Sequence, residues 1–314
     1  MKTKKPNLSV VIPAWNEEQN IGHLLGDLMK QQYSSFELSE VVVVSDGSID
    51  NTVSIVRSYQ KYFNGILSVI DSKARKGLAA RQNELLSVAK GDVIVMLQSD
   101  IRIEDKKFLE KFTSLVIEEK KDLVSCKIEE VTSTSFIEQI IWVGMALKHS
   151  VFESMNNGQN IYTCHGPVRA FSKKFAKSIN FKEGVGEDGY SFLYCIANGF
   201  DYGYCFNTKV FYKLPDKFND HKKQSDRYLQ SIKIHEKEFG KDFTDSVYGG
   251  NSFLFGISFK SIFKYLVIYF IKHPVLMTSY ILMQLYIRLT SFKTKKIGKT
   301  WDSSASSKMV GGTI

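Results

Sequence analysis

Short apolar runs alternate with stretches of helical apolar spacing along the first hundred residues. Four runs have the length and continuous apolar character of buried strands: Leu8–Ile12, Val41–Val44, Ile66–Ile70 and Asp92–Leu97. Between them, apolar residues recur every three or four positions, as in Ile21–Met29 and Leu78–Ala89, which is typical of helices. This alternation predicts an α/β fold with a mostly parallel sheet covered by helices on both faces.

The pattern is less regular after about residue 122. We predict strands at 123–128, 168–171 and 203–212, and helices at 136–155, 188–197 and, strongly charged, 216–243. The residues that follow are apolar and aromatic, and the last ones are rich in Ser, Gly and Lys. We therefore expect an α/β domain at 1–215, a charged helical connector at 216–250, amphipathic helices at 251–292 and a disordered tail at 293–314.

The charge of the chain is uneven. Its 314 residues include 42 Lys and Arg against 33 Asp and Glu, a formal net charge of +9. Such an excess fits nucleic acid, anionic lipid or a phosphorylated ligand about equally well, so its distribution matters more than its size. Basic residues crowd the N-terminal tip, Lys73–Lys76 and the chain after Lys213. The four cysteines form no C-x-x-C pair and the N-terminus has no apolar signal region, so we expect a cytosolic chain with reduced thiols.

Polar clusters coincide with the ends of the predicted strands. They comprise Pro13–Glu18, Asp46–Asn51, Lys73–Gly77 and Asp100. Ligands of open α/β sheets bind beyond the carboxyl ends of the strands. The coincidence therefore predicts a ligand site at this edge of the sheet.

Four segments carry a resemblance to a known family. In chain order, Val10–Glu18, Val44–Thr52, Lys76–Asn83 and Gly91–Asp100 resemble the successive motifs of the family 2 glycosyltransferases, whose fold is called GT-A. The similarity is close over about the first hundred residues and looser as far as Tyr228. It implies the transfer of a sugar from a nucleotide diphosphate, most often a UDP-sugar. We expect no nucleic-acid partner and predict no oligomeric state.

The resemblance implies a donor-binding set of nine residues: Pro13, Asn16, Glu17, Asp46, Lys76, Arg81, Asn83, Gln98 and Ser99. Their chemistry is suitable, because a proline that ends a strand frees backbone groups and a carboxylate accepts hydrogen bonds from a base or ribose. Cations and a glycine before a helix N-terminus suit a diphosphate. Each group also has a structural alternative. Glu17 could supply favourable charge at a helix N-terminus, Asp46 could form an Asp-Gly turn, and Lys73–Lys76 could be a plain basic surface loop.

Asp100 is the predicted metal ligand. Family members usually carry Asp-x-Asp here and bind Mn²⁺ or Mg²⁺ on the donor diphosphate, whereas this chain has Gln98-Ser99-Asp100. Mg²⁺ is often held by one or two carboxylates together with phosphate oxygens and water. Asp100 therefore remains the expected ligand of Mn²⁺ or Mg²⁺, with Gln98 lending a carbonyl oxygen or contacting ribose.

Gly186-Glu187-Asp188-Gly189 resembles the family's Glu-Asp motif for the catalytic base. Transfer to a hydroxyl needs a base against the acceptor oxygen, and we assign Asp188 to that role with Glu187 in support. One base without an opposed nucleophile predicts single displacement with inversion. Favourable acidic charge at a helix start is the structural alternative.

Two weaker matches concern the acceptor and the diphosphate. His165 and Arg169 lie where related enzymes have an acceptor loop, and His165 is also compatible with a plain polar loop. Gln224, Arg227 and Tyr228 resemble the Gln-x-x-Arg-Trp motif of processive members, with Tyr in place of Trp. Gln224 and Arg227 would share one helix face. A chance match in a charged helix is the alternative.

The apolar C-terminal segment predicts contact with a membrane. Lys260, Lys264 and Lys272 form a narrow stripe on an aromatic-rich helix, as in helices that lie in the membrane interface. Pro274–Ile287 carries no charge but is shorter than the ~20 residues that a span requires. We expect a monotopic hairpin on the cytoplasmic face of the cell membrane, the alternatives being a true span, a soluble helical subdomain and a dimer interface.

Three other classes of protein remain for comparison. A Rossmann oxidoreductase would need G-x-G-x-x-G after the first strand, which this chain lacks. A sugar nucleotidyltransferase would normally show a Gly-rich basic loop there, and an inactive membrane scaffold would explain the missing carboxylate at Gln98. We favour an inverting glycosyltransferase acting on a lipid-linked or surface-glycan acceptor.

Overall fold

The computed structural model describes residues 4–184, 186–249 and 259–291. Its strands are β1 Asn7–Ala14, β2 Glu37–Asp46, β3 Leu67–Ser72, β4 Val93–Leu97, β5 Ile101–Arg102, β6 Leu123–Glu130, β7 Val168–Ser172 and β8 Tyr202–Tyr212. Its α-helices are α1 Ile21–Met29, α2 Thr52–Tyr59, α3 Leu78–Val88, α4 Phe108–Ile117, α5 Phe136–Ser154, α6 Lys173–Ser178, α7 Glu187–Ala197, α8 Phe218–Phe239, α9 Lys241–Tyr248, α10 Phe259–Lys272 and α11 Pro274–Ser291. The predicted tail at 293–314 lies outside the described residues.

The eight strands form one sheet in the order β3-β2-β1-β4-β7-β6-β8-β5. β1 pairs in parallel with both β2 and β4, β2 with β3, and β6 with β8. The pairs β4–β7, β6–β7 and β5–β8 are antiparallel. The prediction of a mostly parallel α/β sheet is confirmed. Because the chain leaves β1 towards β2 and returns on its other side as β4, the strand order switches beside β1, where such sheets bind ligands.

Two hydrophobic clusters lie on opposite faces of the sheet. Val10 and Ile12 of β1 pack on one face with residues of α1, α2 and α4, whereas Val11 packs on the other with α3, α6 and α7. Side chains alternate along a strand, so both faces of a central strand must be apolar when helices cover both. This double burial explains the uninterrupted apolar runs in the sequence.

Several elements differ from the prediction. α4, α6 and the short β5 were not predicted, although Phe108, Leu109, Phe112 and Val116 of α4 are buried at helical spacing. The stretch predicted as one helix at 216–243 is two helices, α8 and α9. They separate at Gly240, whose φ of 86° is a left-handed conformation that interrupts a helix.

The two C-terminal helices, α10 and α11, pack against α5. Met277, Tyr280, Met283 and Ile287 of α11 form a third hydrophobic cluster with residues of α5 and with Leu214. Within the residues that the structure describes, none of the helices combines the length and apolar character needed to cross a membrane. The predicted amphipathic hairpin is therefore docked on the α/β domain through α5.

α5 and α11 approach each other closely at Gly144. A Cβ atom at Gly144 would lie 2.1 Å from the ring of Tyr280. We expect Gly144→Ala to lower the free energy of unfolding by about 1–3 kcal/mol, the usual effect of overpacking. Urea unfolding measures it. Gly26→Ala in α1 is the matched control, because its Cβ would have only an ordinary contact at 3.9 Å and should be neutral or stabilising.

Candidate active site

A cleft of about 410 Å³ gathers residues that lie far apart in the sequence. Its lining includes nine of the predicted site residues: Gln98, Asp100, His165, Arg169, Glu187, Asp188, Gln224, Arg227 and Tyr228. The volume is in the range of ligand sites, about 300–1,000 Å³. The structure therefore brings together the predicted metal ligand, the predicted base and both groups of weaker candidates.

The predicted catalytic pair, Glu187 and Asp188, occupies the first turn of α7. Asp188 lines the cleft, and its Oδ1 accepts a hydrogen bond of 2.8 Å from the backbone N–H of Gly189. A Cβ atom at Gly166 would lie 3.7 Å from Asp188 Oδ2 and 3.6 Å from Gln98 Nε2. Gly166, in the loop before β7, thus lies beside both the predicted base and Gln98, which follows β4.

Glycines on either side of the pair let α8 and α9 approach. A Cβ atom at Gly186 would lie 3.0 Å from Ser231 Oγ, and one at Gly189 would lie 2.8 Å from Tyr248 Oη. His235 Nδ1 and Tyr248 Oη are 2.9 Å apart and join α8 to α9. The segment predicted as a connector therefore packs on the catalytic turn and forms one wall of the cleft. This close approach also explains why the Glu-Asp pair stands between glycines.

Arg169 positions α7. Its guanidinium is fully buried and donates to the carbonyl oxygen of Glu187 at 2.8 Å, to Ser191 Oγ at 2.7 Å and to Gln82 Oε1 at 3.1 Å. A buried guanidinium with three such partners holds its neighbours in place. Arg169 also lines the cleft, and its contact with acceptor or diphosphate stays a prediction.

Glu187 and Asp188 have different surroundings. Burial raises the pKa of Glu187 to about 8, against a smaller opposing effect of Arg169. Glu187 is therefore mostly protonated at neutral pH and cannot accept a proton there. Asp188 lines the cleft beside it, and its role as the base stays a prediction.

The raised pKa of Glu187 predicts how stability depends on pH. The folded state retains a proton that the unfolded chain, with an ordinary glutamate pKa of about 4.3, releases earlier. Stability should therefore fall between about pH 4.3 and pH 8, and less so in Glu187→Gln. Urea unfolding at pH 5 and pH 8.5 measures the difference. The exposed Glu118→Gln is the control, and an unchanged pH slope in Glu187→Gln would contradict the assignment.

His165 and His221 line the cleft as neutral imidazoles. Burial lowers the pKa of His165 to about 3 and that of His221 to about 4. The His165 ring lies 5.8 Å from that of His149 and 6.3 Å from that of Tyr204, centroid to centroid. His165 therefore offers an uncharged polar group to the cleft, consistent with contact to acceptor.

Asp46, predicted to contact the nucleoside, bonds to the backbone of the basic loop after β3 and to Arg81. Asp46 Oδ1 accepts from the backbone N–H of Lys76 at 2.7 Å, and Oδ2 from that of Gly77 at 2.9 Å. Arg81, 1% exposed, donates from Nε to Asp46 at 2.7 Å and also bonds Glu84 and Ala74. These bonds fold the basic loop onto the end of β2. Arg81 thus positions this loop, whereas the side chains of Lys73 and Lys76 are exposed.

Four other predicted donor residues have structural roles. Asn83 exchanges two hydrogen bonds with the backbone of Phe181, and Asn16 Oδ1 accepts from the N–H of Ile49. Glu17 Oε2 accepts from Asn20 Nδ2 at 2.7 Å. Pro13 is paired with Val44 inside β1, so the strand does not end at Pro13 as predicted. Their side chains shape the donor loops and do not line the cleft.

Ser99 also lies outside the cleft lining. Its side chain is 5% exposed, between Gln98 and Asp100, which both face the cleft. Gln98 and Asp100 supply hard oxygen atoms, the donors that Mg²⁺ and Mn²⁺ prefer. Among the described residues, no cluster of three or more His, Cys, Asp or Glu side chains could hold a metal. A divalent ion at this site stays a prediction, with Asp100 as its expected ligand.

Sequence reasoning missed two features of the site. The guanidinium of Arg75 lies 3.4 Å from the centroid of the Trp15 ring and bridges the loops after β1 and β3. His221 and Ser231 line the cleft with Gln224 and Tyr228, at spacings of three and four residues along α8. That periodicity defines one helix face and was visible in the sequence.

Comparisons with known proteins agree with this geometry. The chain is 32% identical over 123 residues to poly(ribitol-phosphate) β-N-acetylglucosaminyltransferase TarS of Staphylococcus aureus, covering 39% of this chain and 21% of that protein. It is 28% identical over 187 residues to 4,4'-diaponeurosporenoate glycosyltransferase of Staphylococcus aureus, covering 55% of this chain and 47% of that protein. The chain thus spans less than half the length of either relative.

Solved structures share the fold. The mannosyltransferase PcManGT of Pyrobaculum calidifontis, in complex with GDP-Man and Mn²⁺, superposes with a TM-score of 0.62 at 18% identity, covering 92% of this chain and 84% of that one. TarS 1–349 of S. aureus in complex with UDP gives a TM-score of 0.54 at 22% identity, covering 77% and 72%. The GT-A fold is confirmed. The family model for Glycosyl transferase family 2 matches residues 9–179, more than half of the chain, so the chain belongs to glycosyltransferase family 2.

Proposed function

We propose that this protein transfers a sugar from a UDP-sugar to a hydroxyl group of a lipid-linked or surface-glycan acceptor, with inversion. The convergence of Asp100, Asp188 and Arg227 on one cleft carries the proposal. A carboxylate for a cation, a carboxylate base and a guanidinium for a diphosphate are the parts that such a transfer needs. The complexes of TarS with UDP and UDP-GlcNAc support the choice of nucleotide.

The proposed chemistry is a single displacement. Asp188 takes the proton of the acceptor hydroxyl. At the same time the hydroxyl oxygen forms a bond to the anomeric carbon of the donor, and the bond from that carbon to the diphosphate breaks. Glu187, whose pKa is about 8, is mostly protonated at neutral pH and therefore presents an O–H donor next to Asp188 in the chain. Arg227 stabilises negative charge on the departing diphosphate, because a guanidinium in a partly buried site interacts strongly with phosphate oxygens.

A divalent ion, Mn²⁺ or Mg²⁺, is part of the proposal. Asp100 would hold it, with Gln98 beside it, and when bound it would neutralise charge on the donor diphosphate. PcManGT and a glucosyl-3-phosphoglycerate synthase of Mycobacterium tuberculosis were solved with Mn²⁺, which supports a metal here. One protein carboxylate suffices because the phosphates supply further ligands.

A screen of nucleotide sugars tests the proposal directly. Thermal shift with UDP-, GDP- and dTDP-sugars should raise the melting temperature most for one donor, because a ligand that binds only the folded state stabilises it. Slow hydrolysis of that donor with Mn²⁺ should follow. The absence of both binding and hydrolysis would favour the alternative of an inactive membrane scaffold. That alternative would explain why Gln98 stands where family members usually carry a carboxylate.

The C-terminal hairpin, α10 and α11, is the proposed membrane contact on the cytoplasmic face. Its outward side carries large exposed apolar residues, including Leu282 at 62%, Leu285 at 52% and Leu289 at 76% exposure. Lys264, Lys272 and Arg288 add positive charge to the same two helices. An apolar face flanked by cations suits an interface containing anionic lipid.

Acidic residues introduced on this face should abolish membrane binding. With Leu282, Leu285 and Leu289 replaced by Glu, we expect the protein to stop floating with anionic phosphatidylglycerol vesicles, because three charges cannot enter the interface. The matched control places Glu at Met29, Val88 and Ile196, which are exposed apolar positions of the α/β domain. Flotation that persists in the hairpin variant, or is lost equally in the control, would contradict the assignment.

A further inference from the structure

The lining of the cleft contains two chemically different groups of residues. Gln98, Asp100 and Asp188 supply polar groups, whereas Ile128, Ile141, Met145, Leu214 and Pro215 supply hydrocarbon surface beside Tyr212 and Lys213. Sugar hydroxyls need polar partners, which such a lining does not provide. This part of the cleft is therefore suited to an apolar portion of a substrate.

The apolar part of the cleft is continuous with the hairpin. Ile141 and Leu214 line the cleft and also belong to the hydrophobic cluster that contains Met277, Tyr280 and Met283 of α11. On the α8 side, His221 lines the cleft and lies 3.2 Å from Gln284 of α11, measured between His221 Nε2 and Gln284 Nε2. The hairpin thus packs directly behind residues that line the cleft.

The opposite side of the same hairpin exposes Leu282, Leu285 and Leu289. An apolar surface of this kind places the adjoining cleft beside the boundary between head groups and acyl chains. A hydrocarbon chain that leaves the bilayer there would reach the cleft with little exposure to water, which favours this route over one through solvent.

Resting on the proposed transfer, we infer that the acceptor is a lipid rather than a free saccharide. Its hydroxyl-bearing head group reaches Asp188, and the first carbons of its chain lie against Ile141, Met145 and Leu214. Of the lipid-linked and surface-glycan acceptors named in the proposed function, this protein thus uses the lipid-linked one. The lipid chain occupies a subsite separate from that of the donor. A free glycan as acceptor is an outcome that the experiment below distinguishes.

Photo-crosslinking tests the inference on the full chain. The probe is dodecyl β-D-glucoside with a diazirine in its alkyl chain, used below its micellar concentration with UDP and MnCl₂, and the labelled residues are mapped by peptide mass spectrometry. We expect label in the peptides that contain Ile141–Met145 and Lys213–Pro215. Excess dodecyl glucoside should suppress it by at least about tenfold, and methyl glucoside should not.

A matched pair of variants makes the result specific. Met145→Glu places a charge in the apolar lining and should reduce label in these peptides by at least about tenfold, whereas Met29→Glu, at an exposed position on α1, should leave it unchanged. Thermal unfolding of both variants checks their folding. If Met145→Glu unfolds, Met145→Gln replaces it, with a smaller loss expected.

Three outcomes would overturn the inference: label confined to the outer face of α10 and α11, equal competition by methyl glucoside, and label indifferent to Met145→Glu. Calorimetric titration of the same sample with UDP keeps the two proposals distinct. Absent UDP binding with intact cleft labelling contradicts the proposed donor and supports the lipid subsite. Intact UDP binding without cleft labelling contradicts the lipid subsite alone.

Discussion

Asp188→Asn is expected to reduce sugar transfer by about 10²–10⁴-fold, the usual contribution of a general base. The substitution preserves the size of the side chain and its capacity to accept the hydrogen bond from Gly189 N–H. It removes the lone proton acceptor of the pair, because Glu187, with a pKa of about 8, is largely protonated at neutral pH. The measurement is the initial rate with the donor found by thermal shift, together with the affinity for UDP.

The affinity for UDP separates this explanation from a structural one. In the proposed reaction Asp188 contacts the acceptor and not the donor, so the dissociation constant of UDP should change by less than about threefold in Asp188→Asn. Asp201→Asn, at an exposed aspartate preceding β8, is the control and should be neutral for both quantities. A variant that loses UDP affinity while its rate at saturation is retained would show that Asp188 binds the donor and is not the base.

The Glu187–Asp188 assignment also shows what sequence can establish. Residue type and the flanking glycines located the pair, and the strand–helix alternation located the edge of the sheet. Neither shows that burial raises the pKa of Glu187, because burial depends on packing by segments distant in sequence, such as Arg169 of β7, which bonds the Glu187 carbonyl oxygen. The difference between the two carboxyl groups is therefore a tertiary property.

The donor loops illustrate the opposite case. Asp46 and Arg81 were assigned to the nucleoside and the diphosphate by residue type and position, and both are used to fold the basic loop. A carboxylate at a strand end accepts hydrogen bonds from a ligand or from neighbouring backbone with equal chemical ease. The partner of such a carboxylate depends on whether the backbone of another loop comes within about 3 Å of its oxygens. Local sequence does not specify that distance.

The charged segment at 216–250, predicted as a charged helical connector, also contributes to the cleft. His221, Gln224, Tyr228 and Ser231 occupy one face of α8 and line the cleft. A helix that lines a polar cleft buries polar residues, so mean hydropathy underestimates its importance. The period of particular side chains was the better guide.

Asp100→Asn is expected to weaken the Mn²⁺-dependent affinity for UDP by about 100-fold, or about 2.8 kcal/mol. The amide keeps the shape of the side chain but loses the charge that a hard cation requires. In EDTA, wild type and variant should bind UDP equally, because the substitution acts through the cation alone. Calorimetric titration with and without MnCl₂ measures the four affinities.

Gln98→Asp provides a test in the opposite direction, because it restores the Asp-x-Asp pattern that family members usually carry. Both side chains line the same cleft. If a cation binds there, the second carboxylate should lower the MnCl₂ concentration at which UDP affinity is half restored, and Asp100→Asn should raise it. A UDP affinity that is indifferent to Mn²⁺ in wild type and in Gln98→Asp would exclude a metal role for Asp100. In that case the positive charge of Arg227 would have to stabilise the leaving diphosphate, and Arg227→Gln would become the variant with the larger loss of activity.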